Sequence, residues 1–145
     1  MAVQPTVQIA NSSYAAFISD LLYEFNNEAL LPETLAERMD QARHLETVFL
    51  AELDGSWVGL LVLRIAPTLS GPEGWAEVTE LYVRSSSRRK GVGRSLMEAA
   101  IEYSRRRGCA EIRLLVDPAN QIGLCFYEAL GFQRDSWEMR RSFKP

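Results

Sequence analysis

With 145 residues, 47% hydrophobic and 24% charged, the chain has the length and balance of one soluble globular domain with a single substantial core. A net charge of -3 argues against a general nucleic-acid binder. No apolar run reaches the roughly 18 residues that span a bilayer, and the N-terminus lacks the charged-then-apolar layout of a secretory signal, so a cytoplasmic protein with no membrane partner is expected.

Val7 to Ala10 is short and β-prone, and Asn11-Ser12-Ser13 offers N-cap residues for a helix with Phe17, Ile18, Leu21, Leu22 and Phe25 on one apolar face. Pro32, a favoured first helical position, opens a second helix with Leu35, Met39 and Ala42 inward. Asn26-Asn27-Glu28 links the two. Tyr23, Glu24, Phe25 and Glu28 suit either a packed helix face or the edge of a pocket for a cationic substrate.

Thr47–Leu53 and Trp57–Ile65 are β-rich runs joined by Asp54-Gly55, a dipeptide that favours a tight hairpin turn. The Pro- and Gly-bearing stretch 66–74 reads as a loop before a long strand over Trp75–Val83. A helix with Leu96, Met97, Ala100 and Ile101 on one face follows. Arg105-Arg106-Arg107 at its end complements the negative end of the helix dipole, and Gly108 supplies a left-handed cap. Glu111–Val116 alternates as another strand, ended by Asp117-Pro118, and a helix follows over about Ala119–Leu130 with Ile122, Cys125, Phe126, Ala129 and Leu130 apolar, stopped by Gly131. Trp137–Phe143 completes the order as a last strand. This order specifies one α/β domain over 1–145, a mixed sheet with helices on its faces. Cys109 and Cys125 form no C-x-x-C pair and His44 is the sole histidine, so no metal site or Cys–His nucleophile is expected and both cysteines read as packing residues.

The chemistry concentrates between Glu80 and Arg94. The first N–H groups of a helix lack intrahelical partners and sit at the positive end of its dipole, which suits an anion. Gly91 and Gly93 let a phosphate approach the backbone, and Arg88, Arg89, Lys90 and Arg94 add charge around the same turn. Neither a G-x-G-x-x-G nor a G-x-x-x-x-G-K motif is present. On these residues alone the alternative is an ordinary basic, solvated loop.

Arg88-Arg89-Lys90-Gly91-Val92-Gly93 after the strand Leu81-Tyr82-Val83, together with Asn120, Gly123 and Phe126-Tyr127-Glu128-Ala129-Leu130-Gly131-Phe132, resembles the two signatures of the GNAT superfamily of acyl-CoA-dependent N-acetyltransferases. Position 123 carries Gly where that family often has Ala. The resemblance implies a mostly antiparallel central sheet flanked by helices on both faces, with acetyl-CoA as the acyl donor and no metal. It assigns the pyrophosphate to the backbone from Arg88 through Arg89, Lys90, Gly91, Val92 and Gly93 to Arg94. The pantetheine arm falls to Leu81, Tyr82 and Val83, with the Leu81 N–H polarising the thioester carbonyl. Asn120 would bond the arm or support the site.

Tyr127 is then the expected general acid for the departing thiolate, since a phenol of reference pKa about 10 is matched to an alkyl thiol. For the base, Glu80 is favoured for its closeness to Leu81, and Glu77 is the alternate. Three residues apart, the two face opposite sides of a regular strand unless the strand bulges, as this family's strand typically does. The acceptor expected is a primary amine on a small molecule. A peptide or protein-lysine acetyltransferase is the enzyme alternative, and a CoA-binding sensor module is the non-enzyme one. Relatives often form homodimers, for which the final strand or the hairpin would supply an edge.

Overall fold

A computed structural model describes residues 3–71 and 73–145. In chain order the elements are β1 (Thr6–Ala10), α1 (Ala15–Asn26), α2 (Pro32–Ala42), β2 (Glu46–Leu53), β3 (Ser56–Ala66), β4 (Trp75–Val83), α3 (Val92–Arg106), β5 (Ile112–Leu114) and α4 (Gln121–Ala129). The five strands form one sheet in the order β1-β2-β3-β4-β5, antiparallel from β1 through β4. The chain divides into two compact units, Met1–Arg113 and Leu114–Pro145.

In the first unit, strand alternation sorts side chains onto two faces. Ala10, Val48, Leu50, Leu60 and Val62 share one face and are buried with Ile18, Leu21 and Leu22 of α1 and Leu35 of α2. Asn11 caps a short 3-10 turn, Ser12–Tyr14, that leads into α1, and Pro32 is the first residue of α2. The Ser19 hydroxyl donates to the Leu30 carbonyl at 2.6 Å, tying the link between the two helices to α1. On the opposite face lie Phe49, Leu61 and Leu63, where α3 buries Val92, Leu96, Met97 and Ala100, and Phe49 meets Tyr103 edge-on at 5.6 Å. The expected helices on both faces are thus present.

Asp54 and Gly55 both take left-handed φ values, 52° and 79°, as the tight hairpin requires. The hairpin also has an irregularity that local pattern did not reveal. Ala51 pairs with Gly59 but Glu52 with Trp57, so Val58 is an extra residue on β3. Trp57 is thereby turned to the α1 side, where it meets Tyr14 edge-on at 5.7 Å.

Gly59 is where α3 approaches the sheet most closely. A Cβ there would lie 3.0 Å from Val92 Cγ1, 3.1 Å from Leu96 Cδ1 and 3.1 Å from the Tyr82 carbonyl oxygen. Val92 opens α3, so the absence of a side chain at Gly59 sets the height of that helix start above β4. Gly59→Ala is expected to cost about 1–3 kcal/mol of stability by overpacking, and a thermal melt checks it.

The second unit holds α4, capped by Asn120, whose Oδ1 accepts the Gly123 N–H at 2.9 Å. A Cβ at position 123 would overlap the Asn120 amide, so this chain's glycine at that position matches its cap. Tyr127 sits edge-on between Phe126 and Phe132, with ring centroids 5.1 and 6.0 Å away. Gly131 takes φ 93° as the helix ends.

Three expectations are corrected here. Trp137–Phe143 forms no strand: Trp137, Met139 and Phe143 are 94%, 95% and 89% exposed, because alternation gains free energy only where a neighbouring edge takes the backbone groups and a layer covers one face. The strand expected over Glu111–Val116 shrinks to Ile112–Leu114. Cys125 does not pack; it is exposed, as are Ile122 and Ala129 on the same helix, whereas Phe126 and Leu130 are half-buried, so the apolar side read from α4's periodicity is covered only in part. Cys109 is half-buried, and burial pushes its thiol pKa up.

Candidate active site

The site begins with a bulge in β4. Leu63 pairs with Val78 whereas Val62 pairs with Glu80, leaving Thr79 as the extra residue. Glu77 is opposite Arg64 and Glu80 opposite Val62, and Arg64 and Val62 share the helix-side face, so both carboxylates reach the face covered by α1 and α2. A regular strand would have separated them.

The same extra residue reverses which backbone groups point toward β3. Before the bulge, the Ala76 N–H donates to the Glu111 carbonyl at 3.0 Å, on the β5 side; beyond it, the Arg84 N–H donates to the Val58 carbonyl at 2.8 Å, on the β3 side. Backbone groups alternate along an antiparallel ladder, so Tyr82 shares the β3 side with Arg84. Leu81 and Val83 direct their N–H and C=O groups the other way, as an added strand-like ligand requires. The Val83 carbonyl accepts the Arg88 Nε–H at 3.0 Å.

After β4, Ser85–Ser87 make one 3-10 turn and the chain enters the basic loop. Arg89 has φ 62° and Gly91 φ 80°. A left-handed arginine is uncommon and costs of order 1 kcal/mol; with Gly91 it bends the basic loop into a tight turn at the start of α3, a candidate nest for an anion. The first helical bond of α3 runs from the Ser95 N–H to the Gly91 carbonyl at 3.0 Å, so the N–H groups of Val92, Gly93 and Arg94 have no intrahelical acceptor. A Cβ at Gly91 would meet nothing within 4 Å; it is the positive φ that calls for glycine there. Arg94 pairs with Glu98 at 3.3 Å along the helix surface.

Burial, reinforced by the nearby Glu46 and Glu28 carboxylates, holds the Glu80 carboxyl above its ordinary value. Arg64 is engaged by Glu46 at 2.7 Å, and its pKa is raised by that pair with a smaller contribution from Glu77. In the second unit, burial raises the Tyr127 phenol, and Asn120 is committed through Oδ1 to capping α4.

Sequence reasoning named Glu24, for a packed helix face or the edge of a pocket, but missed what its carboxylate holds. Its Oε2 accepts both the Tyr82 hydroxyl and the Arg84 Nε–H, each at 3.1 Å, and Phe25 packs on the Tyr82 ring at 5.5 Å. Glu24 and Phe25 therefore face β4, while Tyr23 is 53% exposed. The signal lay in the i, i+2 spacing of Tyr82 and Arg84, which puts them on one face, but nothing local tied them to a residue 58 positions earlier. Among the described residues no group of three His, Cys, Asp or Glu side chains is placed to hold a metal ion, and no helix is long and apolar enough to cross a membrane.

A bulged strand thus leads into a basic turn at a helix start, on a sheet covered by helices on both faces. The chain belongs to the acetyltransferase (GNAT) family, whose model matches residues 14–132. It is similar to the mycothiol acetyltransferase of Thermobispora bispora, 37% identical over 87 residues that cover 59% of this chain and 30% of that protein. The spermidine N(1)-acetyltransferase of Thermoplasma acidophilum is 26% identical over 142 residues, covering 90% of this chain and 82% of the relative. An acetyltransferase structure from Trypanosoma brucei superposes with a TM-score of 0.85 at 25% identity, covering 97% of this chain and all of that one. The match thus spans under a third of the mycothiol enzyme but most of the spermidine enzyme.

Proposed function

We propose that the protein transfers an acetyl group from acetyl-CoA to a primary amine of a small molecule by direct attack on the thioester. The observation that carries this reading is the Thr79 bulge, because one extra residue presents Glu80 on the helix-side face and turns the backbone of Leu81 and Val83 outward on the same strand. The arm of CoA would run along Leu81, Tyr82 and Val83. The nest from Arg88 to Arg94 would take the pyrophosphate, its N–H groups supplying directed donors and its side chains charge.

In this reaction the amine nitrogen bonds to the carbonyl carbon, negative charge collects on the carbonyl oxygen beside the Leu81 N–H, and the carbon–sulfur bond breaks. The ammonium loses its proton to Glu80, through water, and the thiolate receives one from Tyr127. A carboxylate with a raised pKa is a better acceptor for that proton than an ordinary one. Glu77 on the same face is the alternate. Asn120 supports the site by fixing the start of the helix that carries Tyr127. The carboxylates of Glu80, Glu77, Glu46, Glu28 and Glu24 outnumber Arg64 and Arg84 on this face, which favours a cationic acceptor, in keeping with the amine in the spermidine relative's name.

Incubation with acetyl-CoA, a thiol reagent and a panel of polyamines, aminoglycosides and lysine peptides tests the reading. Free thiol released with a small polycation is the expected result. Release only with peptides would replace it by protein acetylation. Binding of CoA with no thiol released on any amine would make the protein a CoA sensor.

A further inference from the structure

Glu24 has one carboxylate oxygen shared by two donors from a single strand. Tyr82 is held on three sides: its hydroxyl on Glu24 Oε2, its ring against Phe25 at 5.5 Å, and the Arg88 guanidinium 5.9 Å from the ring centroid. Arg84 lies two residues on, its Nε–H on the same oxygen, and its backbone N–H is fixed on Val58. Between Tyr82 and Arg84 stands Val83; immediately before Tyr82 stands Leu81. The clamp therefore grips the two side chains that alternate with the two backbone units offered to the cofactor.

At its other end the clamp holds the last turn of α1. Asn27 closes that helix in the left-handed region with φ 60°, its N–H on the Tyr23 carbonyl, and the chain passes directly to Glu28, whose charge is felt at Glu80. We infer that Glu24 is a positioning residue for acyl transfer: by holding Tyr82 and Arg84 on one oxygen it fixes the β4 backbone at Leu81 and Val83 relative to the link that carries Glu28. This role rests on the acetyl-transfer reading above. An exposed ion pair adds little to stability, but a small displacement of reacting groups lowers turnover far more than it lowers stability.

The test compares Glu24→Ala, Glu24→Gln and Tyr82→Phe with the parent protein. Glutamine keeps an oxygen that can accept from both donors, whereas alanine removes it. Glu24→Ala is expected to lower kcat about tenfold with little change in the KM for acetyl-CoA, and Glu24→Gln to restore turnover to within about threefold of the parent. Glu24→Ala combined with Tyr82→Phe should lose no more than Glu24→Ala alone, because the two act through one contact. Turnover of Glu24→Ala equal to the parent's, or losses that add, would overturn the inference, as would a Gln variant no better than Ala.

Amide hydrogen exchange supplies a readout that needs no turnover. Exchange at residues 81–84 and 26–31 should accelerate together in Glu24→Ala, and unchanged exchange in either segment overturns the clamp. A parent protein that releases no thiol on any amine overturns the acetyl-transfer reading and with it the positioning role, whatever the exchange result.

Discussion

Replacing Glu80 by Gln is expected to lower kcat/KM about 100-fold at neutral pH while raising the melting temperature. The two effects share one cause. Burial holds the Glu80 carboxyl above its ordinary value, so the folded protein binds this proton more tightly than the unfolded chain does. Below the unfolded-state pKa the group is protonated in both states and folding bears no penalty. As pH rises through the folded-state pKa the charged form must be kept half-buried, and stability falls. Glutamine removes that penalty at pH 7 and changes little at pH 3, so melts at the two pH values separate this account from a general packing effect. In kinetics, the acidic limb of the parent's kcat/KM profile should lie above the ordinary carboxylate range and vanish in Glu80→Gln. A limb that persists in Glu80→Gln and disappears in Glu77→Gln would move the base to Glu77.

Tyr127→Phe is expected to lower kcat by about 100-fold with a small effect on the KM for acetyl-CoA, since a proton donor acts in the transition state and adds little to ground-state binding. Burial raises the phenol's pKa, so it stays protonated through the neutral range and its ionisation should limit activity only above about pH 10. The ring contacts with Phe126 and Phe132 survive in the variant, which makes Phe a test of the hydroxyl alone. Unchanged turnover would remove the acid role from Tyr127.

Local patterns were legible where physics is local. Pro32 marked the start of α2, Asp54-Gly55 the hairpin, Gly108 and Gly131 the helix ends, and Trp75–Val83 matched β4 at both bounds. The basic cluster and glycines marked the turn before α3, whose left-handed residues are Arg89 and Gly91, with Gly93 inside the helix. What periodicity could not supply is whatever depends on a partner. The extra residues at Val58 and Thr79 exist only relative to neighbouring strands. Gly59 reads as an unremarkable strand residue until α3 lies across it. Trp137–Phe143 has the alternation of a strand without the covering that alternation needs, and Glu24, read as part of a helix face or a pocket edge, has no assigned partner until Tyr82 and Arg84 are placed beside it.

The bulge at Thr79 bears on folding fidelity as well as on chemistry. Antiparallel strands can slip by one residue during assembly, and a slip exchanges the faces of every side chain. In β4 such a slip would drive Glu80 into the apolar layer formed by Leu96 and Met97, both fully buried, and an unpaired carboxylate there is costly enough to exclude the alternative pairing. The acid that is proposed to accept the amine's proton therefore also guards the register of the strand that carries it. An apolar residue at position 80 would stabilise the correct sheet and tolerate the wrong one.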